Sequence, residues 1–221
     1  PAVRLPALAN APTLDGDLDE AAWQQAASLT LTLNDGSGPA SADTTARVGL
    51  HGDHLYIAFL CNEPDTERMV ATVKETDGQV WRDDCIEVFI DPGLSGKGFY
   101  QVLVNSLGTI ARVGPGGAAW QPAVRAAARV EPAQQRWVVE LAIPTAGLTL
   151  GPRFGLNLAR ERRPMEVLEL SAWSPTGGSF GQPERFGVAV LSGDLPQAAA
   201  APASLEMQIT PGYALTTTDA V

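Results

Sequence analysis

The segment WRDDCIEVFIDPG, Trp81 to Gly93, gathers the side chains most able to do chemistry in this chain: an indole, adjacent carboxylates at Asp83 and Asp84, the Cys85 thiol and the Glu87 carboxylate. Carboxylates in such company serve three chemistries. A pair flanking a glycosidic bond, for which Glu87 and Glu161 have the right residue type, performs acid–base hydrolysis. Clustered carboxylates supply the hard oxygen donors that calcium takes; Asp83 with Asp84 and the run DGDLDE, Asp15 to Glu20, offer them, though neither has EF-hand spacing. A carboxylate beside an aromatic ring suits a sugar, whose apolar face packs on the ring while its hydroxyls need polar partners at the edge.

Hydrolysis draws no further support, because nothing in the sequence fixes the separation of Glu87 and Glu161. A nucleophile elbow, a P-loop and a dinucleotide fingerprint are all missing from the sequence, so no catalytic reading follows. Both histidines, His51 and His54, fall in HGDH, a hairpin tip that has no third ligand at motif spacing. The metal question stays open. Sugar stacking has several candidate rings: Trp81 before a strand, Phe180 in the loop TGGSFGQPE, and Trp120 in GPGGAAWQP. Trp137 and Trp173 lie within strand-like runs and are expected to be packed.

These residues must be positioned by strands. Short runs rich in Val, Leu, Ile and aromatics alternate with period two between Gly, Pro, Asn and Asp signals, at about eleven places from LTLTL (29–33) to FGVAVL (186–191). That pattern predicts an all-β fold, an antiparallel β-sandwich of two sheets, immunoglobulin-like or jelly-roll-like. One short N-terminal helix is expected over DLDEAAWQQA (17–26), with Trp23 as its anchor. In CIEVFID, Ile86, Val88 and Ile90 face one way and Cys85, Glu87, Phe89 and Asp91 the other. YQVLVN divides Val102 and Val104 from Gln101, Leu103 and Asn105, and FGLNLARER divides Leu156 and Leu158 from Asn157 and Glu161. If these strands share a sheet, Glu87, Gln101, Asn105 and Asn157 line one polar surface; the alternative is an ordinary solvated sheet face.

The 221 residues carry 25 acidic and 15 basic groups, a formal charge of −10 that repels a phosphate backbone and argues against a nucleic-acid partner. No apolar run approaches the ~20 residues needed to span a bilayer. Residues 1–195 read as one functional unit that begins as though processed or trimmed. Residues 196–221, rich in Ala, Pro and Thr, read as a linker or tail leading to a further domain in cis. Two cysteines, Cys61 and Cys85, exclude a zinc finger and a redox CxxC motif.

Taken in order, PTLDGDLDEAAWQQA, HLYIAFLCNEPD, WRDDCIEVFIDPG, YQVLVNSLGT, WVVELAIP, FGLNLARER and SAWSPTGGSFGQPERFGVAVL resemble the family 9 carbohydrate-binding modules and their relatives with a DOMON-like sandwich. The resemblance covers most of residues 12–191. It implies a non-catalytic module that clamps the end of a glucan or xylan chain between two rings, with structural calcium and no organic cofactor. Trp81 falls on one clamp position and Phe180 on the other, where a tryptophan is usual; Glu87 and Asn105 match polar binding positions, and Gln101 joins them. Leu103 stands where an arginine is expected and Gly177 near an expected asparagine, departures that each remove roughly 1 kcal/mol of sugar bonding. The family pattern also makes the strands of Cys61 and Cys85 neighbours, implying a disulfide and an exported protein. Two alternatives accompany the resemblance. One is an accessory domain of a larger surface or secreted protein, with its cleft blocked. The other is a haem b domain with methionine and lysine ligands, for which Met69, Lys74, Lys97, Met165 and Met207 are the available residues.

Overall fold

A computed structural model describes residues 1–163 and 167–192; the Ala/Pro/Thr-rich tail, Met165 and Met207 lie outside the described residues. Two sheets face each other. The larger has eight strands, with β1 (Ala2–Leu5), β13 (Gly187–Leu191), β11 (Arg153–Arg162), β6 (Cys85–Asp91), β7 (Tyr100–Asn105) and β8 (Ile110–Val113) side by side. The far half of β11 pairs instead with β12 (Glu169–Ala172), which in turn pairs with β3 (Thr32–Leu33). The smaller sheet orders β2 (Ala27–Thr30), β4 (Thr44–His51), β5 (His54–Asn62), β10 (Arg136–Pro144) and β9 (Arg125–Glu131). Every pairing is antiparallel except that of β1 with β13. Among the described residues no helix is long and apolar enough to cross a membrane.

The period-two segments become strands because one apolar row of each is buried between the sheets. Ile86, Val88 and Ile90 of β6 and Leu156 and Leu158 of β11 meet Ile57 and Phe59 of β5 and Val139 and Leu141 of β10. Each such side chain contributes roughly 1.5–3 kcal/mol by leaving water. The expected strand over 29–33 divides into β2 and β3, which join different sheets. β1 carries no strong period-two signal, since of its four residues only Leu5 is buried.

The helix is shorter than expected. Only Ala21–Gln25 (α1) is helical, because the acidic half of the segment is drawn into a loop around a buried carboxylate on β10. The amides of Asp15 and Gly16 donate to Glu140 Oε2 at 2.9 and 2.6 Å, and Gly16 takes the left-handed φ of 84° that this turn requires. Trp23 is the expected anchor. It is buried, and its indole N–H donates to Glu140 Oε1 at 2.8 Å.

The expected disulfide is not formed. Cys61 lies on β5 in the smaller sheet, between Thr44 and Trp137, while Cys85 lies on β6 in the larger sheet, between Asn105 and Glu161. Cys61 faces the intersheet core and Cys85 the opposite, outer face of its own sheet, with Val80, Leu103 and Ala111. Both are buried free thiols, and burial raises the thiol pKa of each.

One end of the sandwich is closed by charge. Arg160 projects from β11 toward the other sheet and bonds Glu63 at 2.9 Å, the Thr44 hydroxyl at 3.0 Å and the Asn62 carbonyl at 2.9 Å. Arg162 grips the same carboxylate through two nitrogens at 2.7 and 2.8 Å. Burial works to raise the Glu63 pKa, but hydrogen bonds from Arg162 and the Asp65 amide, with both guanidinium charges, hold it below the usual value. That stabilisation is present above the unfolded carboxylate pKa and is lost as pH falls through the lower folded value. Glu63→Ala leaves two buried guanidiniums without their anion and is expected to cost about 3–5 kcal/mol. Urea unfolding at neutral pH measures this, and a midpoint unchanged from the parent would show that the bridge does not hold the sheets.

Candidate functional site

The outer face of the larger sheet carries a cleft of about 470 Å³ over β6, β7, β8 and β11. Its floor comes from the second row of each strand: Glu87 and Phe89, Gln101 and Leu103, Ala111, and Glu161. The polar surface expected there is present in part. Glu87 is only 2% exposed and accepts a 2.6 Å hydrogen bond from Gln101 Nε2. Leu103 lies directly opposite Glu87 in the β6–β7 register. Asn157 lies outside the cleft, where its amide ties the Ser174 backbone.

Trp81 stands at the rim on a short 3-10 turn, Val80–Arg82, and is 48% exposed. The Arg82 guanidinium lies 5.3 Å from its ring centre. Its turn is fixed by the two following carboxylates. Asp83 accepts from the Thr72 amide and hydroxyl, the Val73 amide and the Asn105 amide group. Asp84 accepts from the Val70 and Arg163 amides. These internal donors account for the acidic pair as a structural element. Asn105 belongs to the same scaffold: Nδ2 donates to Asp83 and to the Val73 carbonyl, while Oδ1 accepts from the Leu107 and Thr109 amides. It is buried and outside the cleft, so it supports the turn rather than facing a ligand.

Phe180 lines the cleft but is only 5% exposed. Its ring packs on Phe89 at 6.1 Å, and Phe89 in turn meets Phe99 at 5.4 Å and Phe186 at 5.6 Å. Phe180 is therefore part of a fixed apolar wall, whereas Trp81 is an open ring. Its loop is held by Asn34, which bonds the Gly178 carbonyl and both the amide and hydroxyl of Thr176. Gly177 lies outside the cleft and has φ 80°, a backbone state that disfavours the asparagine expected there less than most side chains but favours glycine. Trp120 packs against Tyr100 with the two rings tilted by 55°, also away from the cleft.

Asp77 and Arg112 carry no motif in the sequence yet form the cleft's further polar wall. Arg112 donates to Asp77 at 2.8 and 3.1 Å and to the Pro122 carbonyl at 2.8 Å. A guanidinium therefore lines the cleft from β8, not from position 103.

Glu87 and Glu161 share the cleft floor on adjacent strands, displaced diagonally by two residues in register. Burial, reinforced by the neighbouring Glu161 charge, pushes the Glu87 pKa up to about 8. Burial likewise raises Glu161, opposed by the neighbouring Glu87 carboxyl and by Arg163, which bonds it at 2.7 Å.

The other expected ligand sets separate. His51 bonds the Leu8 carbonyl and His54 bonds Asp53. From the acidic run, Asp15 and Glu20 converge with Glu140, one oxygen of each lying within 4.8 Å of the others. Glu20 Oε2 there is buried without a hydrogen-bond partner among the described residues, and three carboxylates are the donor type calcium takes. Met69 packs against the core, Lys74 and Lys97 are exposed, and none of these three lines the cleft.

A family model described as carbohydrate family 9 binding domain-like matches residues 14–194. Among solved structures, a family 9 carbohydrate-binding module from Caldicellulosiruptor kristjanssonii in complex with cellotriose aligns with TM-score 0.66 and 16% identity, covering 96% of this chain and 100% of that chain. A putative carbohydrate-binding protein from Bacteroides uniformis aligns with TM-score 0.68 and 17% identity, over 86% of this chain and 99% of that one. A C. kristjanssonii family 9 module in complex with glucose aligns with TM-score 0.65 and 15% identity, over 89% and 100%. No curated protein matches the sequence.

The scaffold role of Asn105 has a measurable consequence. Asn105→Ala strips a buried carboxylate of one donor and two amides of their acceptor, which is expected to cost about 2–4 kcal/mol of stability. Denaturant unfolding tests this; a cost within ~0.5 kcal/mol of zero, the range of surface substitutions, would show that the turn stands without it.

Proposed function

Since this chain belongs to the carbohydrate family 9 binding domain-like family, we propose that it is a non-catalytic carbohydrate-binding module whose ligand occupies the cleft beneath Trp81. The observation that carries this reading is a half-exposed indole at the rim of a cleft of about 470 Å³, with hydrogen-bonding groups on the floor. Small-ligand sites occupy ~300–1,000 Å³ and combine apolar walls with a few placed polar groups. A sugar ring stacks on Trp81 and rests against the Phe180–Phe99 wall. Its hydroxyls meet Glu87 and Gln101 on the floor and the Asp77–Arg112 pair at the side. A glucan or xylan chain end or short oligosaccharide fits such a cleft, and such a ligand places the protein in the periplasm, at the cell surface or outside the cell. The open cleft and exposed Trp81 favour this reading over an accessory domain with a blocked site.

Trp81→Ala removes the stacking surface and little of the core, so it is expected to weaken oligosaccharide binding at least about tenfold with stability nearly unchanged. Calorimetry with gluco-, xylo- and manno-oligosaccharides reads this directly. Absence of binding by the parent protein to all three would remove the carbohydrate reading.

A structural calcium ion belongs to the same proposal, held by Asp15, Glu20 and Glu140 where the N-terminal loop meets β10. Its role there is to cross-link the loop to the sheet. Calcium added to chelator-treated protein is expected to raise Tm by a few degrees through binding to the folded state, and Glu20→Gln is expected to lose that rise. An unchanged Tm in the parent would place no calcium at these residues.

A further inference from the structure

Glu87 is the one cleft carboxyl that lacks a cation. Glu161 is bonded by Arg163, and Asp77 is bonded through two nitrogens by Arg112. Glu87 has Gln101 from β7, the Glu161 carboxyl from β11 and, directly across the ladder, Leu103. Its neighbour Cys85 on β6 is a buried neutral thiol, and Asp84 adds negative charge near Glu161. No Lys or Arg among the described residues bonds Glu87, yet the group is 2% exposed and lines an open, sugar-sized cleft.

We infer that this cleft selects an amino sugar, a glycan unit whose protonated amine lies against the Glu87–Glu161 pair as its missing cation. The inference rests on the carbohydrate-binding reading and specifies its ligand class. Two adjacent carboxyls on one cleft floor, of which only Glu161 is bonded by a cation, are in effect a site prepared for one positive charge. An ammonium group donates up to three hydrogen bonds and forms charge-assisted ones with a carboxylate, where a hydroxyl offers only a neutral bond. Glu87, which burial keeps protonated near neutral pH, ionises as the amine binds, and its proton passes to solvent. No bond is made or broken beyond that proton transfer. The Asp77–Arg112 pair, already internally neutralised, then serves the hydroxyls, and Trp81 still packs on the apolar face of the ring.

Three disaccharides of similar shape separate the possibilities: the deacetylated chitosan disaccharide, its N-acetylated counterpart chitobiose, and cellobiose. Near neutral pH, calorimetry is expected to show the chitosan disaccharide bound at least about tenfold more tightly than the other two. Its heat should differ between buffers of different ionisation enthalpy, reporting the released proton. Glu87→Gln, close in shape but never anionic, is expected to abolish both the preference and the buffer dependence. Leu103→Arg, which supplies a cation in cis from the opposite register position, is expected to abolish the preference as well. Cellobiose bound as tightly as the chitosan disaccharide would overturn the amine selection and leave the carbohydrate reading standing. A preference kept in Glu87→Gln would overturn it too, since the amine would then be drawn by the general negative charge of the protein. No binding of any of the three would overturn the amine selection, and joined to no binding of xylo- and manno-oligosaccharides it would overturn the carbohydrate reading as well.

Discussion

A carboxylate taken out of water must be given hydrogen-bond donors, and the loops of this sandwich are arranged by that requirement. Removing such an ion from solvent costs several kcal/mol even after relaxation, so each buried acid gathers amides or guanidiniums around itself. Glu140 collects the Asp15 and Gly16 amides and the Trp23 indole, which pins the N-terminal loop to the smaller sheet. Glu63 collects two arginines and joins the sheets. Asp83 and Asp84 shape the turn that carries Trp81. Asp91 accepts the Gly96 amide and the Ser95 hydroxyl in the loop after β6. The half-exposed Trp81 ring is thus presented by the same device that closes the fold.

The strands were readable because a half-buried strand writes its burial into a two-residue period, and CIEVFID and YQVLVN became β6 and β7 with the expected ends. The destination of the other row was not readable. Period two separates the faces without saying what covers the outer one, and on β6 that face is buried along its whole length. Asn105 and Asn157 therefore read as members of a polar surface, when Asn105 ties Asp83, the Val73 carbonyl and its own following turn and Asn157 ties the Ser174 backbone. The cysteines failed for a related reason. Sheet membership depends on pairings between remote segments, and the strands that carry Cys61 and Cys85 belong to different sheets and do not pair. Asp77 and Arg112 had no signal at all, because a bidentate pair 35 positions apart exists only once β8 lies beside the loop.

The two rings differ in what they can contribute. Phe180 is held in an aromatic cluster through Phe89, so its ring is already ordered and gives shape rather than newly buried area. Trp81 retains half of its surface for a ligand, and burying that surface is the larger apolar gain the cleft offers. Affinity should therefore be unequally divided between the walls, with Trp81 as the adjustable partner and the Phe180 side as a template.

The same asymmetry appears in charge. An arginine at position 103, as the family pattern expects, would face Glu87 across the β6–β7 ladder and keep it ionised at neutral pH. Leucine there instead joins an apolar patch with Val80, Cys85 and Ala111 and adds to the burial around Glu87. A buried carboxyl without a counter-charge takes up a proton, and Glu87 does so beside a second carboxyl whose own charge raises it further. Leucine at 103 thus leaves Glu87 without the counter-charge that an arginine there would supply. That group lies on the floor of the cleft, only 2% exposed and with Gln101 as its donor, and the proposed amino sugar would bring it the charge that position 103 withholds.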